Sequence, residues 1–169
     1  MSRKVFIVGG VKSGKSSYAV LLVKSYKRVY FVATAEAKDV EMKKRIEKHK
    51  VNRPKNFIVV EEPIKLYEKL DRLPKGSVVV VDCINMWVAN MLGKNFSEKK
   101  IISEVKKICS KFEKFSFIIL VSNEVGLSLV SDNLLGRKFQ ELLGKTNQIV
   151  SSYVNEVYLM VCGIPVRVK

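Results

Sequence analysis

The chain is short of several things, and each shortage excludes something. It has three cysteines, Cys83, Cys109 and Cys162, too few and too scattered for a disulfide framework. No C-x-x-C pair is there to hold a structural zinc. All three sit among apolar neighbours and read as small core residues of a protein kept reduced. No apolar run approaches the roughly 20 residues that cross a bilayer. Met1 to Val8 runs directly into a strand-like segment, so no secretory leader is expected. Acids are scarce as well: 16 against 31 lysines and arginines, for a net charge of +15. The surplus is mostly lysine, spread over nearly every helical segment. There is no arginine-rich arm, zinc finger, low-complexity tail or aromatic stacking motif. The charge therefore reads as a solvated surface that also suits a polyphosphate ligand, with no nucleic-acid partner. The expectation is a cytoplasmic protein with no membrane span. At 169 residues, with no repeat or linker, it is most simply one domain spanning 1–169.

What is present begins with Gly9-Gly10-Val11-Lys12-Ser13-Gly14-Lys15-Ser16, which fits the phosphate-binding pattern G-x-x-x-x-G-K-[ST]. The strand-like run Lys4–Val8 precedes it. Ser17 to Tyr26 follows, with Ala19, Leu22, Val23 and Tyr26 at helical spacing. Strand, glycine-rich turn and helix start are the context this motif needs. Glycines let several backbone N–H groups face one point, and the helix N-terminus adds partial positive charge there. Lys15 would reach the outer phosphates, and the Ser16 hydroxyl would bind Mg²⁺. The loop implies a nucleoside triphosphate but not what is done with it.

Strand-like and helix-like runs alternate throughout. Strands are expected at Lys4–Val8, Val29–Ala33, Phe57–Val60, Ser77–Val81, Phe117–Val121, Glu156–Val161 and Pro165–Lys169. Several are continuous Val/Ile/Phe runs, as in strands covered on both faces. One helical stripe is Ile101, Ile102, Val105, Ile108, Cys109 and Phe112, opened by Ser97 as a cap. Another, following Asp132-Asn133, is Leu135, Phe139, Leu142, Leu143, Ile149, Val150 and Tyr153. The alternation predicts an α/β fold with a mostly parallel sheet, and an antiparallel hairpin across Gly163 at one edge.

Two further features carry chemistry. Val78 to Val81 is an apolar run ending in Asp82. A carboxylate at such a strand end opens on the ligand crevice of an α/β sheet, where it can hold Mg²⁺. The plainer alternative is an aspartate starting a surface loop. The sole histidine, His49, lies in Glu41-Met42-Lys43-Lys44-Arg45-Ile46-Glu47-Lys48-His49-Lys50-Val51-Asn52-Arg53-Pro54. Arg45 and His49 share a helix face if the helix persists. Surrounding cations would favour a neutral, nucleophilic imidazole and neutralise phosphate charge. On its own terms, a lone histidine in a basic segment reads as solvated surface.

Read together, these segments resemble one family along almost the whole chain: the bifunctional adenosylcobinamide kinase/adenosylcobinamide-phosphate guanylyltransferases of cobalamin synthesis. Gly9 to Ser16 is similar to that family's G-G-[AV]-[RK]-S-G-K-S, and Tyr30 to Ala35 to its Y-[IF]-A-T-[AS] strand. Asp39 to Met42, Arg45-Ile46, His49-Lys50 and Arg53-Pro54 match its D-x-E-M-x-x-R-I-x-x-H-K-x-x-R-P block. Asp82-Cys83-Ile84, Ser122 to Gly126 and Val161 to Val166 resemble its [DE]-C-[IL], [TS]-N-E-V-G and closing V-x-G-[IL]-P-[VL]. The histidine block and N-E-V-G in this order are the specific part.

The resemblance implies a P-loop NTPase-like three-layer fold and two reactions. ATP or GTP phosphorylates the aminopropanol hydroxyl of adenosylcobinamide. GTP then gives GMP to the new phosphate through a GMP-histidine that falls on His49. It implies catalytic roles for His49 and Lys15. It implies nucleotide contacts at Gly9, Gly10, Val11, Lys12, Ser13, Gly14, Lys15, Ser16, Ala33, Thr34, Ala35, Lys50, Val51, Asn52, Arg53, Glu61 and Asp82. Mg²⁺ on Ser16 and Asp82, and a homotrimer with sites near subunit borders, are implied too. Ser131 and Gly136 stand where Pro and Ala are commoner, and Val51-Asn52 replaces a commoner pair beside the histidine. Glu124 is a candidate base for the kinase step by position alone, with a structural role equally open. The competing readings are a small-molecule P-loop kinase that needs no histidine, and a basic nucleotide-dependent nucleic-acid binder.

Overall fold

Side chains alternate across a strand, so a run of Val, Ile and Phe must bury both faces. The computed structural model describes residues 2–37, 40, 41, 43, 44, 47, 54 and 56–169, and in it seven strands form one sheet. They are β1 (Arg3–Gly9), β2 (Val29–Ala33), β3 (Phe57–Glu61), β4 (Val78–Asp82), β5 (Phe117–Val121), β6 (Glu156–Val161) and β7 (Ile164–Arg167). Among the described residues the helices include α1 (Lys15–Val23), α2 (Leu66–Arg72), α3 (Ile84–Gly93), α4 (Glu98–Ser110) and α5 (Leu134–Tyr153). The order across the sheet is β3-β2-β4-β5-β1-β6-β7. Every neighbouring pair is parallel except β6 and β7, which run antiparallel. The expected three-layer, mostly parallel fold with an antiparallel edge hairpin is present.

Two cores flank the sheet. Phe6, Val8, Val79, Val81, Ile118 and Leu120 face one, packed by Trp87 and Val88 of α3, Ile101 and Ile108 of α4, and Leu142 and Leu143 of α5. Val5, Ile7, Val78, Val80, Ile119 and Val121 face the other, packed by Ala19 and Val23 of α1. Burying each such side chain stabilises the fold by about 1.5–3 kcal/mol before conformational entropy is counted. Ser97 caps α4 by accepting from the Lys100 N–H, as expected. Asn133 caps α5 through the Gly136 N–H.

The structure departs from the sequence expectations in several places. Helix α1 starts inside the glycine-rich loop and ends at Val23, leaving Tyr26 half exposed. Neither α2 nor α3 was visible as an amphipathic period, because each is short and α3 is apolar on most of its surface. Strand β3 is a continuous apolar run, Phe57 to Val60, yet Ile58 and Val59 are 41% and 40% exposed. It lies at the end of the strand order, with β2 as its neighbour. Leu135 and Tyr153 leave the α5 stripe for solvent. Of the cysteines, Cys109 is buried and Cys83 half-buried, but Cys162 is exposed. It occupies the tight turn between β6 and β7, where its φ is 51°. Among the described residues no helix is long and apolar enough to cross a membrane.

Candidate active site

Strand β1 ends in the core at Gly9, and the chain must turn there without a side chain. A Cβ on Gly9 would lie 2.7 Å from the Met160 carbonyl oxygen and 2.8 Å from Ser13 Oγ, and its φ is 152°. A Cβ on Gly14, with φ 96°, would lie 3.2 Å from Gly163 Cα. Both positions need glycine for space and for conformation. The Gly163 N–H donates to the Ser13 carbonyl at 3.1 Å, so the β6–β7 turn backs the loop. Helix α1 then opens with no side-chain cap and no acid in its first turn. Its first N–H groups and its dipole are thus left for an anion. Lys15 is only 8% exposed, and its ammonium donates to the Gly10 carbonyl, with Ser13 Oγ at 3.5 Å. A buried ammonium beside an uncapped helix N-terminus is phosphate-binding chemistry.

One row of paired residues crosses the sheet below this loop: Glu61, Ala33, Asp82, Val121 and Ile7. Strands are about 4.8 Å apart, so Asp82 lies about 10 Å along the row from Ile7 and Glu61 about 19 Å. The carboxyl ends of β1 to β5 therefore form a track, with the phosphate loop near one end and Glu61 at the other. Ala33, Thr34 and Ala35 lie between Glu61 and Asp82. The predicted site residues among those described share this edge. His49, Lys50, Val51, Asn52 and Arg53 lie outside the described residues.

Thr34 is fully buried, and its hydroxyl donates to the Cys83 carbonyl at 2.6 Å while accepting from the Cys83 N–H at 2.9 Å. The Thr34 N–H donates to the Asp82 carbonyl at 3.2 Å. The end of β2 thus fixes the backbone on which the Asp82 carboxylate stands. A cis peptide joins Asp82 to Cys83. Burial pushes the Cys83 thiol up to about 12, and the Asp82 charge adds to this while Lys15 acts the other way. Ser16 and Asp82 offer a hydroxyl and a carboxylate, oxygen donors of the kind Mg²⁺ takes beside phosphate oxygens and water.

Four buried or half-buried asparagines complete the edge. Asn90 Nδ2 donates to the Thr34 carbonyl at 2.8 Å and the Pro63 carbonyl at 3.3 Å. Asn85 Oδ1 accepts from the Asn123 N–H at 3.1 Å, and Asn147 Nδ2 donates to the Asn123 carbonyl at 3.0 Å. Sequence reasoning missed Asn85 and Asn90. The signal was a pair of amides set in the otherwise apolar run Ile84 to Leu92.

The comparisons with known proteins agree with this geometry. The family model described as cobinamide kinase / cobinamide phosphate guanyltransferase matches residues 5–168. The "Bifunctional adenosylcobalamin biosynthesis protein CobU" of Escherichia coli (strain K12) is 31% identical, over 98% of this chain and 99% of that protein. The "Bifunctional adenosylcobalamin biosynthesis protein CobP" of Pseudomonas aeruginosa is 33% identical, over 96% of this chain and 95% of that protein. Among solved structures, an ATPase of a bacterial type III secretion system aligns with a TM-score of 0.58 at 13% identity, over 94% of this chain. The P4 protein of bacteriophage phi6 in complex with ADP aligns with a TM-score of 0.50 at 13% identity, over 97% of this chain. This chain spans about half of each solved chain, 51% and 52%, and at that identity the likeness shows the fold. With the phosphate loop, the Asp82 strand end and the match over nearly its whole length, the chain belongs to the cobinamide kinase / cobinamide phosphate guanyltransferase family.

Proposed function

We propose that this chain carries out both reactions of its family. In the first, the aminopropanol hydroxyl oxygen of adenosylcobinamide attacks the terminal phosphorus of ATP or GTP, and a nucleoside diphosphate leaves. The loop from Gly9 to Ser16 holds the phosphates by backbone N–H groups, and Lys15 takes up charge on the outer oxygens. Ser16 and Asp82 would hold Mg²⁺, which neutralises phosphate charge when bound. In the second reaction, an imidazole nitrogen of His49 attacks the α-phosphorus of GTP and pyrophosphate leaves. The phosphate of adenosylcobinamide phosphate then displaces the imidazole, giving adenosylcobinamide-GDP. The covalent step has a chemical purpose. The acceptor is an anion, and a neutral imidazole makes the first attack without pitting anion against anion. Ala33, Thr34, Ala35, Lys50, Val51, Asn52, Arg53 and Glu61 are assigned to the nucleotide. We further propose that residues 1–169 act as one domain, in the cytoplasm, as a homotrimer.

One observation carries this reading: a phosphate loop with a buried Lys15, at the same sheet edge as the Asp82 strand end, in a chain whose family match spans both the loop and His49. Incubation with adenosylcobinamide, Mg²⁺ and GTP tests it by mass spectrometry of the corrinoid. Adenosylcobinamide phosphate should form first and adenosylcobinamide-GDP after it. Bound GTP with an unmodified corrinoid would overturn the proposal.

A further inference from the structure

Strand β5 lies between β1 and β4, so the residues after Val121 fall between the phosphate loop and Asp82. Those residues are Ser122, Asn123 and Glu124. The Asn123 peptide is gripped on both sides by side chains, Asn85 Oδ1 at its N–H and Asn147 Nδ2 at its carbonyl. Asn85 and Asn147 are 6% and 8% exposed, so this grip is made where water competes little. The Glu124 N–H then donates to the Gly9 carbonyl at 3.0 Å, tying it to the first residue of the loop. One Glu124 carboxylate oxygen accepts from the Gly126 N–H at 2.7 Å. A Cβ on Gly126 would meet that oxygen at 2.9 Å, and no other neighbour crowds the position. The backbone, the strand end and the side chain are each held.

We propose that Glu124 is the general base of the phosphoryl-transfer step, and that Asn85, Asn147 and Gly126 are the residues that position it. The proposal rests on the kinase half of the function above. As the corrinoid hydroxyl oxygen bonds to the terminal phosphorus, its proton passes to the Glu124 carboxylate. The bond from that phosphorus to the bridging oxygen breaks, and its electron pair leaves on the nucleoside diphosphate. Glu124 then returns the proton to water. In the guanylyl transfer the acceptor is already an ionised phosphate with no proton to lose, so Glu124 has no task there.

That contrast supplies the test. Glu124→Gln, Gly126→Ala and Asn147→Ala are compared with wild type in two assays. One is phosphorylation of adenosylcobinamide, and the other is GMP transfer to preformed adenosylcobinamide phosphate. Removing a general base costs about 10²–10⁴-fold. Glu124→Gln should lose at least about 10²-fold in kinase kcat with little change in nucleotide KM, and far less in GMP transfer. Gly126→Ala displaces only the carboxylate, so it should keep its melting temperature and lose kinase kcat selectively. Asn147→Ala should lower kinase kcat more than nucleotide KM changes. Kinase turnover in Glu124→Gln close to wild type, or equal loss of both reactions in the folded variant, overturns the proposal. A wild-type protein without kinase turnover overturns the functional reading itself, and this assignment with it.

Discussion

The Thr34 hydroxyl holds both ends of Cys83, donating to its carbonyl at 2.6 Å and accepting from its N–H at 2.9 Å. This single side chain joins the end of β2 to the residue after Asp82. It turns a strand terminus, which would otherwise fray, into a fixed mount for a carboxylate.

Thr34→Val keeps the shape and removes the hydroxyl. It leaves two buried backbone groups without that partner, at about 1–3 kcal/mol for an unsatisfied group. The expected outcome is a lower urea midpoint and weaker Mg²⁺-dependent GTP binding, with Thr34→Ser close to wild type in both. Thr34→Val binding GTP as tightly as wild type would show that the mount does not matter.

Ser131 and Gly136 form a matched pair. A Cβ at residue 136 would lie 2.1 Å from Ser131 Oγ and 2.7 Å from Ser131 Cβ. Replacing a helix glycine by alanine ordinarily gains about 1 kcal/mol. Here the crowding costs about 1–3 kcal/mol, as overpacking does. Gly136→Ala should therefore be less stable than wild type despite its better helix propensity. Ser131→Gly/Gly136→Ala should recover more than the two separate changes imply. Thermal melts of the four proteins measure this coupling, and simple additivity would refute it.

The phosphate loop, the Asp82 strand end and the positions of the strands along the chain were legible because each is written in consecutive residues. The loop needs its glycines, and a central strand needs an unbroken apolar run. What was not legible depends on neighbours distant in sequence. Cys162 reads as core by its flanks, yet it lies in a turn whose other strand is at the sheet edge. The exposure of Ile58 and Val59 follows from the place of β3 in the sheet order, which no local pattern encodes. In the sequence Asn85 is a polar residue in the otherwise apolar run Ile84 to Leu92. Its purpose shows only when β5 brings Asn123 beside it.

Acid stability has a specific contributor. Arg3 Nε and Nη2 donate to the two oxygens of Glu156 at 2.7 and 3.0 Å, and the Tyr158 hydroxyl adds a third bond at 2.8 Å. Hydrogen bonding from Arg3 holds the Glu156 carboxyl below its usual range, against a smaller opposing effect of burial, and Arg3 is raised in turn. A carboxyl with a depressed folded pKa stabilises fully above its unfolded value, about 4.3, and loses that stability as pH falls through the folded pKa. The pair is partly exposed, so the effect should stay within about 1 kcal/mol. The stability gap between wild type and Glu156→Gln should be constant near neutrality and shrink below pH 4, by urea unfolding at each pH. A gap independent of pH would contradict this.

The covalent histidine is the claim that separates this chain from an ordinary P-loop kinase. The direct measurement uses pure protein, Mg²⁺ and GTP labelled on its α-phosphate, with no corrinoid present. The protein is then denatured and the retained label is tested for survival in base and release in acid. A GMP-histidine at His49 leaves label on the wild-type chain and none on His49→Ala. Wild-type protein that binds GTP but retains no label would contradict the GMP-histidine and leave the chain a kinase without it.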